Sequence, residues 1–149
     1  MSKRERYTID ASVFLNGFNA NEKGHQDSVR FLDWVRKTTA PVIVPTLLFP
    51  EVAATISRVQ GDGVLAQRFA ATLRKWPQLV VIPLDDPLAQ QAVDVAARFH
   101  LRGSDAVYIA VAIRFGTTLV TLDQEQRLRA GEVVLSLTPA EALKSVDHI

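Results

Sequence analysis

Tyr7-Thr8-Ile9-Asp10-Ala11-Ser12-Val13-Phe14-Leu15 reads as a short β-strand that ends on an aspartate and turns at once toward a helix. The same grammar returns late in the chain. Leu119-Val120-Thr121-Leu122 is an apolar β run closed by Asp123. Two further acids open helical runs, Glu51 before Val52-Ala53-Ala54 and Asp105 before Ala106-Val107-Tyr108-Ile109-Ala110-Val111-Ala112. In a chain that alternates strands with helices, strand ends and the helix starts beside them collect on one edge of the sheet. That edge is where open α/β folds bind ligands. Four carboxylates gathered there repel one another, and a bound divalent cation relieves the repulsion. The pattern therefore points to metal-dependent phosphate chemistry.

Working outward, short β-rich runs alternate with longer helical patterns, the arrangement of βαβ units on a parallel sheet. A first strand is expected over Tyr7 to Ile9 and a short helix over Ser12 to Phe18, followed by the polar loop Asn19 to Gly24. Val29, Leu32 and Val35 recur at helical spacing within Gln26 to Lys37. Val42-Ile43-Val44, between Pro41 and Pro45, reads as a buried strand. A helix from Phe49 to Val59 stops at Gln60-Gly61-Asp62-Gly63, and another covers Val64 to Lys75. Leu79 to Ile82 is a strand. Asp86 is the expected cap of a helix with Pro87 at its first position, reaching His100. Arg102-Gly103-Ser104 is the turn before the helix that starts at Asp105 and ends at Phe115-Gly116. Leu119 to Leu122 is a strand, a short helix runs to Arg129, and Val133 to Leu135 is the last strand. Thr138-Pro139-Ala140-Glu141 has the pattern of a capping box opening a final helix. There is no internal repeat and no low-complexity linker.

The 149 residues suffice for one domain with a sizeable core, and a single domain over 1–149 is expected. The absence of cysteine excludes disulfides and thiolate metal sites, and a reducing cytoplasm is the expected location. The start, Met-Ser-Lys-Arg-Glu-Arg, lacks the apolar stretch of a signal peptide. No apolar run reaches the ~18 residues of a membrane span. Net charge is only +1, so bulk charge does not announce nucleic acid. Twelve Arg stand against five Lys, and Arg is the better bidentate partner for phosphate. A codon bias toward Arg explains the same ratio. Lys3, Arg4 and Arg6 read either as contacts to a polyanion or as a solvated start.

Each acid alone has a plain structural explanation. Asp10 and Asp123 are placed to cap the helices that follow them. Glu51 and Asp105 lie in first helical turns, where the macrodipole favours negative charge. As a set they suit one or two hard cations. Mg²⁺ takes oxygen ligands and uses one or two protein carboxylates together with waters and substrate phosphate. Paired metals activate water and stabilise the leaving oxygen of an in-line displacement, which is what phosphodiester hydrolysis requires. Ser12, two residues after Asp10, and Thr121, two before Asp123, are candidate supports for water, phosphate or a carboxylate. Arg102, Arg127 and Arg129 are candidate RNA phosphate contacts by their nearness in sequence to Asp105 and Asp123.

In this order and spacing, the segments resemble the PIN-domain ribonucleases, most closely the VapC-type toxins of prokaryotic toxin–antitoxin pairs. The resemblance rests on Thr8 to Leu15, Pro50 to Ala54, Leu101 to Ala110 and Leu119 to Asp123, and spans Tyr7 to Ala142. It implies a three-layer α/β/α sandwich around a parallel sheet of about five strands. It implies that Asp10 and Asp105 are the main metal ligands and that Glu51 is the glutamate after the second strand. Asp123 corresponds to a fourth acid that often acts through water. The implied reaction is Mg²⁺- or Mn²⁺-dependent hydrolysis of RNA leaving a 5′-phosphate and a 3′-hydroxyl. The implied partners are a second copy of the chain and a small antitoxin that packs into a groove and sends an Arg or another group into the acidic site. One departure is Pro50, directly before Glu51. Either the helix starts as late as Phe49 or its first turn is distorted, and the aim of Glu51 depends on which.

Other chemistries fit less well. His25, His100 and His148 show no metal-ligand spacing. Asp10-Ala11-Ser12 echoes the haloacid-dehalogenase phosphatase motif, which wants a second Asp where Ser12 stands. No Gly-rich phosphate loop with a Lys and no zinc-enzyme pattern appears. Phe14, Phe18, Phe31, Trp34 and Phe49 are spaced for helix faces, mostly as core and in part as lining of an antitoxin groove. The alternative function is a catalytically idle PIN-like module that binds RNA or protein.

Overall fold

A computed structural model describes residues 5–146. Lys3, Arg4 and His148 lie outside the described residues. In chain order the elements are β1 (Tyr7–Ile9), α1 (Ala11–Phe18), α2 (His25–Lys37), β2 (Val42–Pro45), α3 (Leu48–Gln60), α4 (Gly63–Arg74) and β3 (Leu79–Ile82). They continue with α5 (Asp86–Phe99), α6 (Gly103–Phe115), β4 (Thr118–Val120), α7 (Gln124–Ala130), β5 (Ser136–Leu137) and α8 (Pro139–Val146).

The five strands form one sheet in the order β3-β2-β1-β4-β5, every pair parallel. Every residue of β1 and of β2 is buried, as expected of parallel strands covered on both faces. Right-handed crossovers put α1 to α4 on one face and α5 to α7 on the other. The packing agrees: α1 lies against α2 and α3, α3 against α4, and α5 against α6. This is the expected three-layer α/β/α sandwich. Helix α6 packs on β1, β2 and β4, and its seven consecutive residues Ala106 to Ala112 are all buried. A helix apolar on every side belongs inside a domain. On the other face Tyr7 meets Phe31 and Trp34 edge-on at 5.3 and 6.0 Å between ring centroids.

The chain leaves β1 in one direction toward β2 and reaches β4 on its other side, so the strand order reverses between β1 and β4. Carboxyl ends beside such a switch point splay their connections apart and leave a crevice.

Several boundaries differ from the sequence reading. Asp85, not Asp86, caps α5; its carboxylate accepts the Leu88 amide at 3.1 Å. Helix α6 begins at Gly103, so Arg102 is its N-cap rather than part of a free turn. Strand β4 ends at Val120, leaving Thr121 and Leu122 to approach α7 as non-strand backbone. The last strand is Ser136–Leu137 rather than Val133 to Leu135, because Leu119 pairs with Ser136 and Val120 with Leu137. The apolar Val133 and Leu135 are instead solvent-exposed. The capping box is present: the Glu141 amide donates to Thr138 Oγ1 at 3.1 Å and the Thr138 amide to Glu141 Oε1 at 2.9 Å. Pro50 is the third residue of α3, within the turn whose amides have no helical acceptor. The Glu51 amide donates to the Leu47 carbonyl at 3.2 Å, so that turn is regular.

Candidate functional site

Asp10 follows β1 directly and caps α1, with Oδ1 accepting the Ser12 amide at 3.1 Å. Asp123 caps α7 through Oδ1, which accepts the Gln126 amide at 3.2 Å. The capping explanation therefore holds for both, and it does not compete with a second role, because a carboxylate has more lone pairs than the cap uses. Glu51 sits in the first turn of α3 and Asp105 in the first turn of α6. All four line one cleft of about 320 Å³ at the carboxyl edge of the sheet, together with Ser12, Arg58, Arg102, Ser104 and Tyr108.

Two hydroxyls hold the cleft floor. The Ser12 hydroxyl donates to Asp10 Oδ1 at 2.5 Å and accepts the Leu122 amide at 3.1 Å. The Thr121 hydroxyl donates to Asp10 Oδ2 at 2.6 Å and accepts the Asp123 amide at 3.1 Å. Asp10 is thus fixed at both oxygens, and the β1–α1 and β4–α7 connections are tied together through it. Only 5% of Asp10 is exposed and Thr121 is fully buried. Glu51 Oε1 accepts the Tyr108 hydroxyl at 2.6 Å. Arg102 spans the remaining two acids, donating from Nε to Asp105 Oδ2 at 3.0 Å and from Nη2 to Asp123 Oδ2 at 2.9 Å.

The electrostatics are those of a site short of positive charge. Burial pushes the Asp10 carboxyl up to about 6, against the hydrogen bonds from Ser12 and Thr121 that favour its ionised form, and Asp105 adds to the rise. Burial raises Glu51 above the usual carboxylate range; Tyr108 and Arg102 oppose the rise and Asp105 reinforces it. Asp105 is raised by burial, then held back by Arg102. Burial, followed by the Glu51 charge, keeps the Tyr108 phenol protonated well above its ordinary range.

The donor set consists of carboxylates and hydroxyls with no histidine or thiolate, which matches Mg²⁺ or Mn²⁺ rather than zinc. Among the described residues no three acidic or histidine side chains converge closely enough to grip one ion together. A cation that uses one or two carboxylates and fills its shell with water still fits the set.

Of the three arginines named from the sequence, Arg102 alone lines the cleft. Arg127 turns instead to Glu141 at 2.6 Å, and Arg129 bonds the His100 carbonyl and lies 3.6 Å from Glu125. Sequence reasoning missed Tyr108, Gln126 and Arg58. Tyr108 lies three residues after Asp105 on α6, on the same helix face, which was the available signal. Gln126 is buried and donates to the Asp105 carbonyl at 3.3 Å. Arg58 lies seven residues after Glu51, and Glu51, Ala54, Thr55 and Arg58 form one stripe of α3 along the cleft.

The family model described as PIN domain matches residues 7–132. No curated protein matches the chain. Among solved structures, VapC20 of Mycobacterium tuberculosis, described as a sarcin-ricin loop cleaving toxin, is similar at a TM-score of 0.69 and 21% identity. That match covers 82% of this chain and 93% of that one. PAE2754 from Pyrobaculum aerophilum is similar at 0.67 and 20% identity, covering 96% and 89%. VapBC2 from Rickettsia felis, bound to a DNA fragment from its promoter, is similar at 0.66 and 13% identity, covering 88% and 97%. At these identities the likeness is one of fold.

Proposed function

The chain belongs to the PIN-domain family, and from that premise we propose that it is a metal-dependent endoribonuclease acting as the toxin of a type II toxin–antitoxin pair. One observation carries the reading: Asp10, Glu51, Asp105 and Asp123, from four separate elements, line a single cleft at the switch point of the sheet. Asp10 and Asp105 would hold Mg²⁺ or Mn²⁺, with Glu51 and Asp123 completing the acidic wall directly or through water. The bound ion supplies Lewis acidity toward a phosphodiester and lowers the pKa of water. The residues supply position. Ser12 and Thr121 fix both oxygens of Asp10, so its orientation needs no adjustment when a cation arrives. Tyr108 keeps its proton and clamps one oxygen of Glu51, leaving the other for a ligand or water. Arg58 and Arg102 are the cationic side chains of the cleft wall, suited to phosphate oxygens of a single RNA strand.

Partners follow the same reading. A small antitoxin is the expected inhibitor, and an apolar cleft of about 220 Å³ between α1, α2 and α4, lined by Phe14, Phe18, Leu32, Phe69 and Trp76, supports its docking. Of the aromatic residues named from the sequence, Phe14 and Phe18 lie here, while Phe31 and Phe49 are core. Homodimerisation is supported by a second apolar depression beside the site, lined by Leu47, Leu84, Ala92, Val93 and Val107. No described helix is long and apolar enough to cross a membrane.

The test is cleavage of total cellular RNA by the purified protein with Mn²⁺ or Mg²⁺, with EDTA, and with Asp10→Asn in parallel. Cutting that disappears in EDTA and in the variant supports the reading. Cutting that survives both refutes it. Metal binding without cutting supports the idle RNA- or protein-binding module instead.

A further inference from the structure

Arg102 holds an unusual position among the cleft residues. Asp10 and Glu51 are held by neutral hydroxyls, whereas Asp105 and Asp123 are held by one guanidinium that gives a different nitrogen to each. The bridge joins α6 to the entry of α7 across the mouth of the cleft. Arg102 contributes to α6 only through its backbone, its carbonyl accepting the Ala106 amide at 3.0 Å, and its side chain caps nothing. The side chain is 74% exposed although both of its partners are substantially covered. It is therefore free to leave without disturbing the helix.

Resting on the nuclease reading above, we propose that Arg102 is an internal stand-in for the cation. In the metal-free protein it offsets part of the charge of Asp105 and Asp123, and a divalent ion displaces it toward the RNA backbone, where it takes a phosphate oxygen. A cation held by Asp105 would sit beside the guanidinium at like charge, so the two compete for the same carboxylate oxygens. An exposed ion pair is a weak hold, worth up to about fivefold in equilibrium terms, and a doubly charged ion overcomes it readily. Displacement changes what the cleft recognises. With Arg102 on the acids, the mouth offers no free guanidinium on this side. With the ion bound, it gains a planar donor fork suited to phosphate, three residues from Asp105. Metal and RNA binding are then coupled through one side chain, and the apo protein is kept from gripping RNA unproductively.

The test measures binding. Mn²⁺ is titrated by calorimetry into the wild-type chain, Arg102→Gln and Arg102→Lys, all checked for fold by circular dichroism. Arg102→Gln is expected to bind Mn²⁺ more tightly, by up to about fivefold. Arg102→Lys, a point charge unable to span both acids, falls between. In Ca²⁺, a short fluorescein-labelled single-stranded RNA is expected to bind Arg102→Gln several-fold more weakly than wild type, while without metal the two bind it alike. Equal or weaker Mn²⁺ binding by Arg102→Gln overturns this inference alone, since Arg102 is then part of the scaffold. RNA binding that ignores the substitution in Ca²⁺ overturns the release step. Mn²⁺ taken up by none of the three proteins overturns the inference together with the function beneath it.

Discussion

Replacing Asp10 with Asn is expected to abolish RNA cleavage and at the same time to make the protein more stable. Asp10 is almost wholly buried, and its carboxyl is pushed from 3.8 up to about 6. An acid whose folded pKa exceeds its unfolded one costs stability wherever it is ionised in the fold. The cost is absent at low pH, grows as pH rises through the window from 3.8 to about 6, and is complete above it. At 1.36 kcal/mol per pH unit it reaches about 3 kcal/mol near neutral pH. Asn removes the charge and keeps the shape. Its carbonyl still accepts from Ser12, and its amide reaches Thr121, whose hydroxyl rotates to accept. The rise to about 6 is already net of the bonds from Ser12 and Thr121, so the remaining offset is the Thr121 hydroxyl, which loses its own acceptor at a cost of roughly 1 kcal/mol. The net gain is about 2 kcal/mol, or a rise in Tm of roughly 4–8 °C for a chain of this size. Urea unfolding in EDTA, of wild type and Asp10→Asn at about pH 7.5 and about pH 4.5, reads it directly. The gain should shrink to nearly nothing at the lower pH. A variant less stable than wild type at the higher pH, or a difference that does not move with pH, would refute the account of Asp10 as a strained anion held ready for a cation.

Other substitutions probe the supports. Tyr108→Phe leaves Glu51 Oε1 without its donor, so stability should fall by about 1–3 kcal/mol. Losing a bond to the ionised form raises the Glu51 pKa further, so the acid limb of the pH–rate profile for RNA cleavage should move to higher pH. Thr121→Val removes the donor to Asp10 and the acceptor of the Asp123 amide; urea melts should show a loss of about 1–3 kcal/mol and Mn²⁺ titration a weaker site. Ile109→Ala empties a fully buried position on α6 and should cost about 2–5 kcal/mol in chemical unfolding.

Much of this architecture is legible along the chain because it is local. Ile9 to Asp10 and Leu122 to Asp123 announce their edge by an apolar run ending in an acid, and the Thr138 to Glu141 box and the Gly61 stop are contained within a few residues. What escaped is settled by distant parts. Val133 to Leu135 has the composition of a strand, yet the register with β4 selects Ser136 and Leu137, and no window around residue 134 contains β4. Arg127 is four residues from Asp123, but α7 carries it away toward Glu141. Tyr108 and Glu51 are 57 positions apart and become partners only when α3 and α6 converge on the cleft. Arg102 was legible as a cation near the site, whereas its grip on two acids at once depends on how the β4–α7 connection returns beside α6.

The central place of β1 has a consequence for the order in which this protein becomes competent. The strand made first is the one with neighbours on both sides, and its second neighbour is β4, made more than 100 residues later. During synthesis, α1 to α4 can assemble on β1, β2 and β3 while the other flank of β1 lies bare. Asp10 then has no Thr121 at its second oxygen, and Asp105 and Asp123 have not yet arrived. Contacts this remote form late in folding. The acidic cleft is therefore completed only when β4 inserts beside β1, and a ribosome-bound fragment ending before it carries three of the strands and three of the four acids but neither Asp123 nor the Thr121 that holds Asp10.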